Sequence, residues 1–187
     1  MGNYECGSMP ELMACWYLGA MLSQEKYFPY FLDTLQQHNP KEQSKIEIEK
    51  IEVIREYKIE YRRIDILVKA TTSQNRGIVL VIEGKVHWPD ENQLQNSIKK
   101  IERKEEFKTW KVIGINFITT LTEGQLKALK EHEFDFDIVT IQDVISSYCK
   151  YGIAEMQDIN LASSLLDACI ITLKNDDSHS AEIISSI

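Results

Sequence analysis

Cysteine is scarce in this chain and carries no pattern. Four residues in 187, Cys6, Cys15, Cys149 and Cys169, form no CxxC pair and no Cys/His spacing that suits zinc. They are expected to be reduced thiols filling the core of a cytoplasmic protein. Long apolar runs are lacking too. The longest uncharged one, Leu12 to Leu22, is too short to span a bilayer and follows no Lys or Arg. No membrane span and no secretory signal are expected. The start Met1-Gly2-Asn3-Tyr4-Glu5-Cys6 lacks the Ser or Thr at position 6 of a myristoylation site. Positive charge is in deficit: 21 Lys and Arg face 29 Asp and Glu, for a net charge of -8 and a pI near 5.1. That argues against nucleic-acid binding through overall charge, but leaves room for a local basic face or for acids offset by metal ions. Repeats and low-complexity tracts are absent.

What is present suits one domain. With 43% hydrophobic residues, three Trp and eight Tyr, the chain can bury a proper core. Residues 8–37 read as helix, with Ser8 as N-cap, Pro10 in the first turn and Glu11 three residues after the cap. Leu12, Met13, Trp16, Tyr17 and Ala20 make its face so broadly apolar that it should be largely buried. A break is expected near Pro29, then a short helix Phe31–Gln37. Residues 45–61 alternate apolar and charged. They predict an outer hairpin with a bulge at Glu49-Lys50 and a turn around Arg55–Lys58. Strands Arg63–Ala70 and Ile78–Val86 follow, joined by a turn-rich loop. A helix runs from Pro89 to about Phe107, with Leu94, Ile98 and Ile101 as its buried stripe and Gln93, Ser97, Lys100 and Lys104 on another face. After it come a buried strand Trp110–Thr119, a helix from Thr122 to about His132, a strand Phe134–Thr140, and helices Ile141–Tyr151 and Asp158–Lys174. The tail, residues 175–187, is expected to be loosely held.

Two of these strands are unusual. Ile64-Asp65-Ile66-Leu67-Val68 and Ile78-Val79-Leu80-Val81-Ile82 are apolar on both sides of the pleat, the mark of strands covered on both faces. Yet Asp65 sits inside the first, and the second runs into Glu83-Gly84-Lys85. Buried charges are costly unless paired or metal-bound, so they concentrate at functional sites. Residues two apart share a face, so Val79, Val81, Glu83 and Lys85 share one, as do Asp65, Leu67 and Lys69. If the strands are antiparallel neighbours, Asp65 can meet Glu83. Two carboxylates at a strand end make an oxygen-rich site suited to Mg²⁺ or Mn²⁺ rather than zinc. A lysine beside them suits phosphate contact or water activation in phosphodiester hydrolysis. The structural alternative is a Glu83–Lys85 cross-strand ion pair, with Asp65 paired to Arg62 or Arg63.

Asp65-x17-Glu83-x-Lys85, within R-I-D-I-L-V and I-V-L-V-I-E-G-K-V, resembles the motif strands of the PD-(D/E)XK nuclease superfamily. The resemblance covers roughly residues 8–120 and extends to the order helix, strands, Asp strand, Glu-x-Lys strand, helix, strand. It implies an α/β, restriction endonuclease-like core, a central mixed β-sheet flanked by α-helices. Residues 121–174 would pack on that core. It further implies a Mg²⁺- or Mn²⁺-dependent nuclease acting on nucleic acid, DNA ahead of RNA, of the kind found in prokaryotic and phage defence, repair or mobile-element systems. Asp65 and Glu83 would bind the metal, with the Gly84 carbonyl as a further ligand, and Lys85 would orient the attacking water. Glu11 matches the acid many members carry on the first helix, where it can assist with a metal; its alternative role is capping-box partner of Ser8. Gln93 matches a Gln found on the helix after the Glu-x-Lys strand, although Gln93-Leu94-Gln95-Asn96-Ser97 lacks the Tyr of the Q-L-x-x-Y form; it can equally be a solvated helix residue. The lysines from Lys99 to Lys108 are candidates for phosphate contact or an ordinary charge-laced helix surface. Trp88 and Trp110 can stack bases or pack at the core boundary. Two rivals remain: a catalytically silent nuclease-fold protein that binds nucleic acid or protein, and an interaction protein using its acidic surface. The C-terminal helices are a candidate surface for a homodimer or partner protein.

Overall fold

The two apolar runs become neighbouring strands in the middle of a five-stranded sheet. The computed structural model describes residues 9–38, 48–72, 77–86, 88–119, 123–131, 136–141, 143–144 and 146–148. In chain order the elements are α1 (Met9–Leu22), α2 (Phe28–His38), β1 (Ile48–Ile59), β2 (Arg62–Thr72), β3 (Gly77–Lys85), α3 (Glu91–Glu102), β4 (Lys111–Ile118), α4 (Glu123–Glu131) and β5 (Asp137–Thr140). A short 3₁₀ turn, Glu105–Phe107, follows α3, and helical residues follow β5 between 141 and 148. The sheet order is β1-β2-β3-β4-β5. The β1–β2 and β2–β3 pairs are antiparallel, whereas β3–β4 and β4–β5 are parallel. This is a mixed α/β sheet with β1 at one edge.

Alternation along each strand sends apolar side chains both ways, and helices cover both faces. On one face Ile66, Val68, Ala70, Ile78, Leu80, Ile82, Ile115 and Phe117 meet α1, α2 and the helical residues Val144 and Tyr148. On the other, Leu67, Val79 and Val81 meet Leu94, Ile101 and Phe107. Leu129 of α4 packs there against Ile118 and Ile138. Phe28, Phe31, Leu32 and Leu35 give α2 its buried stripe at helical spacing. Thr140 and Asp143 exchange hydrogen bonds at the start of the last helical stretch. Asp143 accepts from the Thr140 N–H at 2.8 Å, and Thr140 Oγ1 accepts from the Asp143 N–H at 3.3 Å, a reciprocal cap.

Several expected boundaries shift. The break expected near Pro29 falls at residues 23–27, just before it, and Pro29 itself lies in the first turn of α2, where its missing N–H costs no helical bond. Among the described residues of α1, Cys15, Leu18, Gly19, Met21 and Leu22 are buried, while Trp16 is 53% exposed with the Arg55 guanidinium over its ring. No turn falls within Ile48–Ile59. β1 runs unbroken to Ile59 and hairpins into β2 through Glu60 and Tyr61, with the expected register shift between Ile48 and Lys50. The long helix expected from Pro89 ends at Glu102, and its cap is Asp90, whose carboxylate accepts the Gln93 N–H at 2.9 Å. Among the described residues no helix is long and apolar enough to cross a membrane. Helix Asp158–Lys174, the tail, Cys6, Cys149 and Cys169 lie outside the described residues.

Candidate active site

The site grows out of a fork in the sheet. The β2–β3 ladder runs from Thr71↔Gly77 to Ile66↔Ile82. The pair that would come next is Asp65 and Glu83. There the ladder stops, and the Gly84 N–H, which would have paired with backbone, donates to Asp65 Oδ2 at 2.7 Å. β3 continues alongside β4 as far as Lys85↔Ile118, and the Thr119 N–H bonds the Lys85 carbonyl at 2.8 Å. Ile66 and Ile82 face the α1/α2 side. Alternation therefore turns Asp65, Glu83 and Lys85 to the α3 side together.

The start of α3 closes over them. Gln93 lies in its first turn, its N–H held by Asp90. Its side-chain Nε2 donates to Glu83 Oε2 at 2.9 Å, and its Oε1 accepts from Lys85 Nζ at 2.8 Å. One helical turn on, Ser97 Oγ donates to Glu83 Oε1 at 2.8 Å. A single amide thus bridges the carboxylate and the ammonium, and both Glu83 oxygens carry a neutral donor. The solvated-helix alternative for Gln93 is set aside by these two bonds. The proposed direct pairs, Glu83 with Lys85 and Asp65 with an arginine, are not what forms: Arg63 instead reaches Glu56 at 3.5 Å.

Glu83 is fully buried. Burial, reinforced by the neighbouring Asp65 charge, pushes its carboxyl up to about 8 against the opposing pull of Ser97, Lys85 and Gln93. Burial also raises the Asp65 carboxyl, opposed by the Gly84 N–H and Lys85 and helped by Glu56. The pair is short of positive charge, and its donors are all oxygen. That set fits a hard divalent cation, which would relieve both the burial and the mutual repulsion.

Glu11 falls in the first turn of α1, the helix that packs on the opposite face, and its side chain lies outside the described residues. Among the described residues no group of three or more His, Cys, Asp or Glu comes together. Of the lysines from Lys99 to Lys108, three are engaged within the chain. Lys100 pairs with Glu60 at 2.7 Å, Lys104 donates to the Tyr57 hydroxyl at 2.6 Å, and Lys108 pairs with Glu105. Trp110 packs edge-on against Phe107, as a boundary residue, and Trp88 is 45% exposed. Two residues went unassigned in the sequence reading. Ser97 shares the helix face of Gln93 at i+4, which could have placed it in the site. Asn116 is polar within a buried strand, the same signal that singled out Asp65.

The element order, and the placement of Asp65 and Glu83-x-Lys85 on adjacent strands, are those implied by the resemblance to the PD-(D/E)XK superfamily. No family model and no curated protein matches the sequence. Solved structures do resemble it. A repair endonuclease from Pyrococcus abyssi is 21% identical over 58% of this chain and 44% of its own, with a TM-score of 0.30. The EndoMS–dsDNA2 complex is 15% identical over 75% of this chain and 48% of its own, with a TM-score of 0.35. EndoMS in its apo form is 17% identical over 59% and 44%, with a TM-score of 0.26. This chain spans less than half the length of each. Likeness this loose carries none of the chemistry, which stands on the geometry above.

Proposed function

We propose that the protein is a Mg²⁺- or Mn²⁺-dependent nuclease that hydrolyses phosphodiester bonds, with DNA the favoured substrate. One observation carries this reading: Asp65, Glu83, Lys85 and Gln93 converge on one face of the sheet, where the β2–β3 ladder opens; Gln93 hydrogen-bonds both Glu83 and Lys85, and the Gly84 N–H between those two holds Asp65. Asp65 and Glu83 would hold the cation, which when bound supplies Lewis acidity toward a phosphate and toward water. Gln93 fixes Lys85, so its ammonium is oriented beside the carboxylates rather than free to wander over the surface. An ammonium so held can bind a non-bridging phosphate oxygen, or offer a hydrogen bond to the entering water. Ser97 and Gln93 hold the rotamer of Glu83, and the Gly84 N–H holds that of Asp65. The Gly84 carbonyl as a further ligand belongs to the same proposal, whereas the ligand role of Glu11, whose helix covers the opposite face of the sheet, rests on the resemblance alone.

A second reading, a nuclease-fold module that binds without cutting, is favoured by one feature. Both Glu83 oxygens are already bonded within the chain, and no third acid joins among the described residues. Incubation with plasmid, single-stranded DNA and RNA, with Mg²⁺ or Mn²⁺, separates the two. Cleavage by the wild type that disappears in Asp65→Ala and Lys85→Ala supports the nuclease. Cleavage unchanged in Asp65→Ala sinks the mechanism, and binding without cleavage supports the module.

A further inference from the structure

The β4 strand carries a polar side chain that the mechanism above does not use. Asn116 is fully buried, and both its Nδ2 and its Oδ1 lack a hydrogen-bond partner among the described residues. Leaving buried polar atoms unpaired costs about 1–3 kcal/mol each, so such a group calls for an explanation. Its position supplies one. Asn116 is the direct register partner of Glu83 in the parallel β3–β4 ladder. Its neighbours Ile115 and Phe117 face the α1/α2 side, so Asn116 faces α3 with Glu83. Two residues earlier, Gly114 leaves the room for Leu94 and Ile98 of α3 to close on this part of the sheet. Beyond Asn116 the row continues into the apolar Ile138. Asp65, Glu83 and Asn116 thus form a polar row on three consecutive strands, which ends at the apolar Ile138 on the β5 side.

We propose that Asn116 is a positioning residue of the cation site, anchoring an enclosed water against the β4 side of Glu83 and so fixing the carboxylate that would hold the metal. A buried amide offers two donors and two lone pairs, and a buried water needs two to four polar partners; Asn116, Glu83 and the nearby Ser97 hydroxyl are of the right kind. The α3 donors hold Glu83 from one side, and the Asn116 water holds it from the other. The inference rests on the reading of Asp65 and Glu83 as cation ligands.

The test measures Mn²⁺ binding, by the paramagnetic resonance of free Mn²⁺, together with unfolding in chelator, for the wild type, Asn116→Leu, Asn116→Ser and Asn116→Asp. The Leu variant replaces the amide, and the water it would anchor, by hydrocarbon of similar shape. It should unfold at the same or higher denaturant than the wild type, yet bind Mn²⁺ about 10–100-fold more weakly. Asn116→Asp, which keeps the hydrogen-bonding reach, should retain the wild-type affinity or exceed it. A merely structural asparagine would move stability and leave affinity alone. Mn²⁺ affinities of the Leu and Ser variants within about twofold of wild type overturn the inference. If the Leu variant does not fold, Asn116→Ser decides alone. A wild type that binds no Mn²⁺ overturns the cation reading and this inference with it, whereas a wild type that binds beside an unaffected Leu variant overturns only the latter.

Discussion

Replacing Glu83 by Gln should stabilise the metal-free protein, and increasingly so as pH rises from about 4.5 to 8. The buried Glu83 carboxyl lies at about 8 in the folded chain against an ordinary 4.5. The folded protein therefore retains a proton that the unfolded chain has already lost, and stability falls as pH rises through that window. The whole gap corresponds to roughly 5 kcal/mol at the outside, and partial relaxation around the charge makes roughly 2–4 kcal/mol the working expectation by pH 8.5. Asp65, also raised, adds in the same direction. Gln is the isosteric stand-in for the protonated acid. Its oxygen accepts from Gln93 Nε2, and its amide donates to Ser97 Oγ, which as a hydroxyl can turn from donor to acceptor. The assay is urea unfolding of the wild type and Glu83→Gln in chelator at pH 5.5, 7.0 and 8.5. The two should lie closest at pH 5.5, where the linkage amounts to about 1.4 kcal/mol at the outside, and separate upward, with midpoints some 5–15 °C apart in a parallel thermal melt at pH 8.5. Excess Mn²⁺ should restore the wild type at pH 8.5 and leave the variant unchanged. A stability difference that does not depend on pH would refute the reasoning, because it would mean that Glu83 does not titrate in the folded state within this window.

Other perturbations follow from single contacts. Ser97→Ala removes the donor to Glu83 Oε1 and should raise the Mg²⁺ concentration needed for half-maximal cleavage about tenfold, read from a metal titration at fixed pH. Gly77→Ala puts a Cβ 2.0 Å from the Trp110 ring, where no flexible end can yield; urea unfolding should show a loss of about 1–3 kcal/mol. Tyr27→Phe removes the hydroxyl that meets Ser147 Oγ at 2.8 Å within the core. Because Ser147 already donates to the Val144 carbonyl, Tyr27 is the donor, and the loss should be about 1 kcal/mol by the same assay.

How much of this was legible in the sequence depended on what each residue had to contradict. Asp65 and Glu83 stood out because acids inside two-faced apolar strands break the pattern around them, and the structure brings both to one point. Gln93 was found through resemblance, and it hydrogen-bonds Glu83 and Lys85. The β1–β2 turn was misplaced because Glu60 and Tyr61 carry none of the usual turn residues. Glu60 nonetheless adopts φ 52, a left-handed conformation uncommon outside glycine, and its carboxylate pairs with Lys100 at 2.7 Å. Glu56, at φ 50, distorts β1 within the stretch Arg55–Lys58 where the turn was expected, without ending the strand. The helix after the break near Pro29 was expected from Phe31 and begins at Phe28, because the sequence alone does not say on which side of a proline a helix starts. Trp16 was read as buried because α1 is apolar nearly all round, and composition does not say which part of such a helix meets the sheet.

The spacing of the site follows from topology rather than from coincidence of motif. β3 and β4 are parallel, so the chain must cross from the end of one strand to the beginning of the next, and α3 makes that crossing. A crossover helix starts where its strand ends. Its first turn therefore hangs over the last residues of β3, and these are Glu83 and Lys85. Asp90 caps the helix and fixes the backbone of Gln93 there, which puts Ser97 one turn deeper along the same face. On the other flank β2 runs antiparallel, so an early residue of β2, Asp65, lies beside a late residue of β3. One strand with an antiparallel neighbour on one side and a parallel neighbour on the other thus gathers an acid from before it, its own acid and lysine, and two donors from after it. Asn116 completes the set by the same logic, since the parallel partner of Glu83 must lie on the strand that α3 delivers.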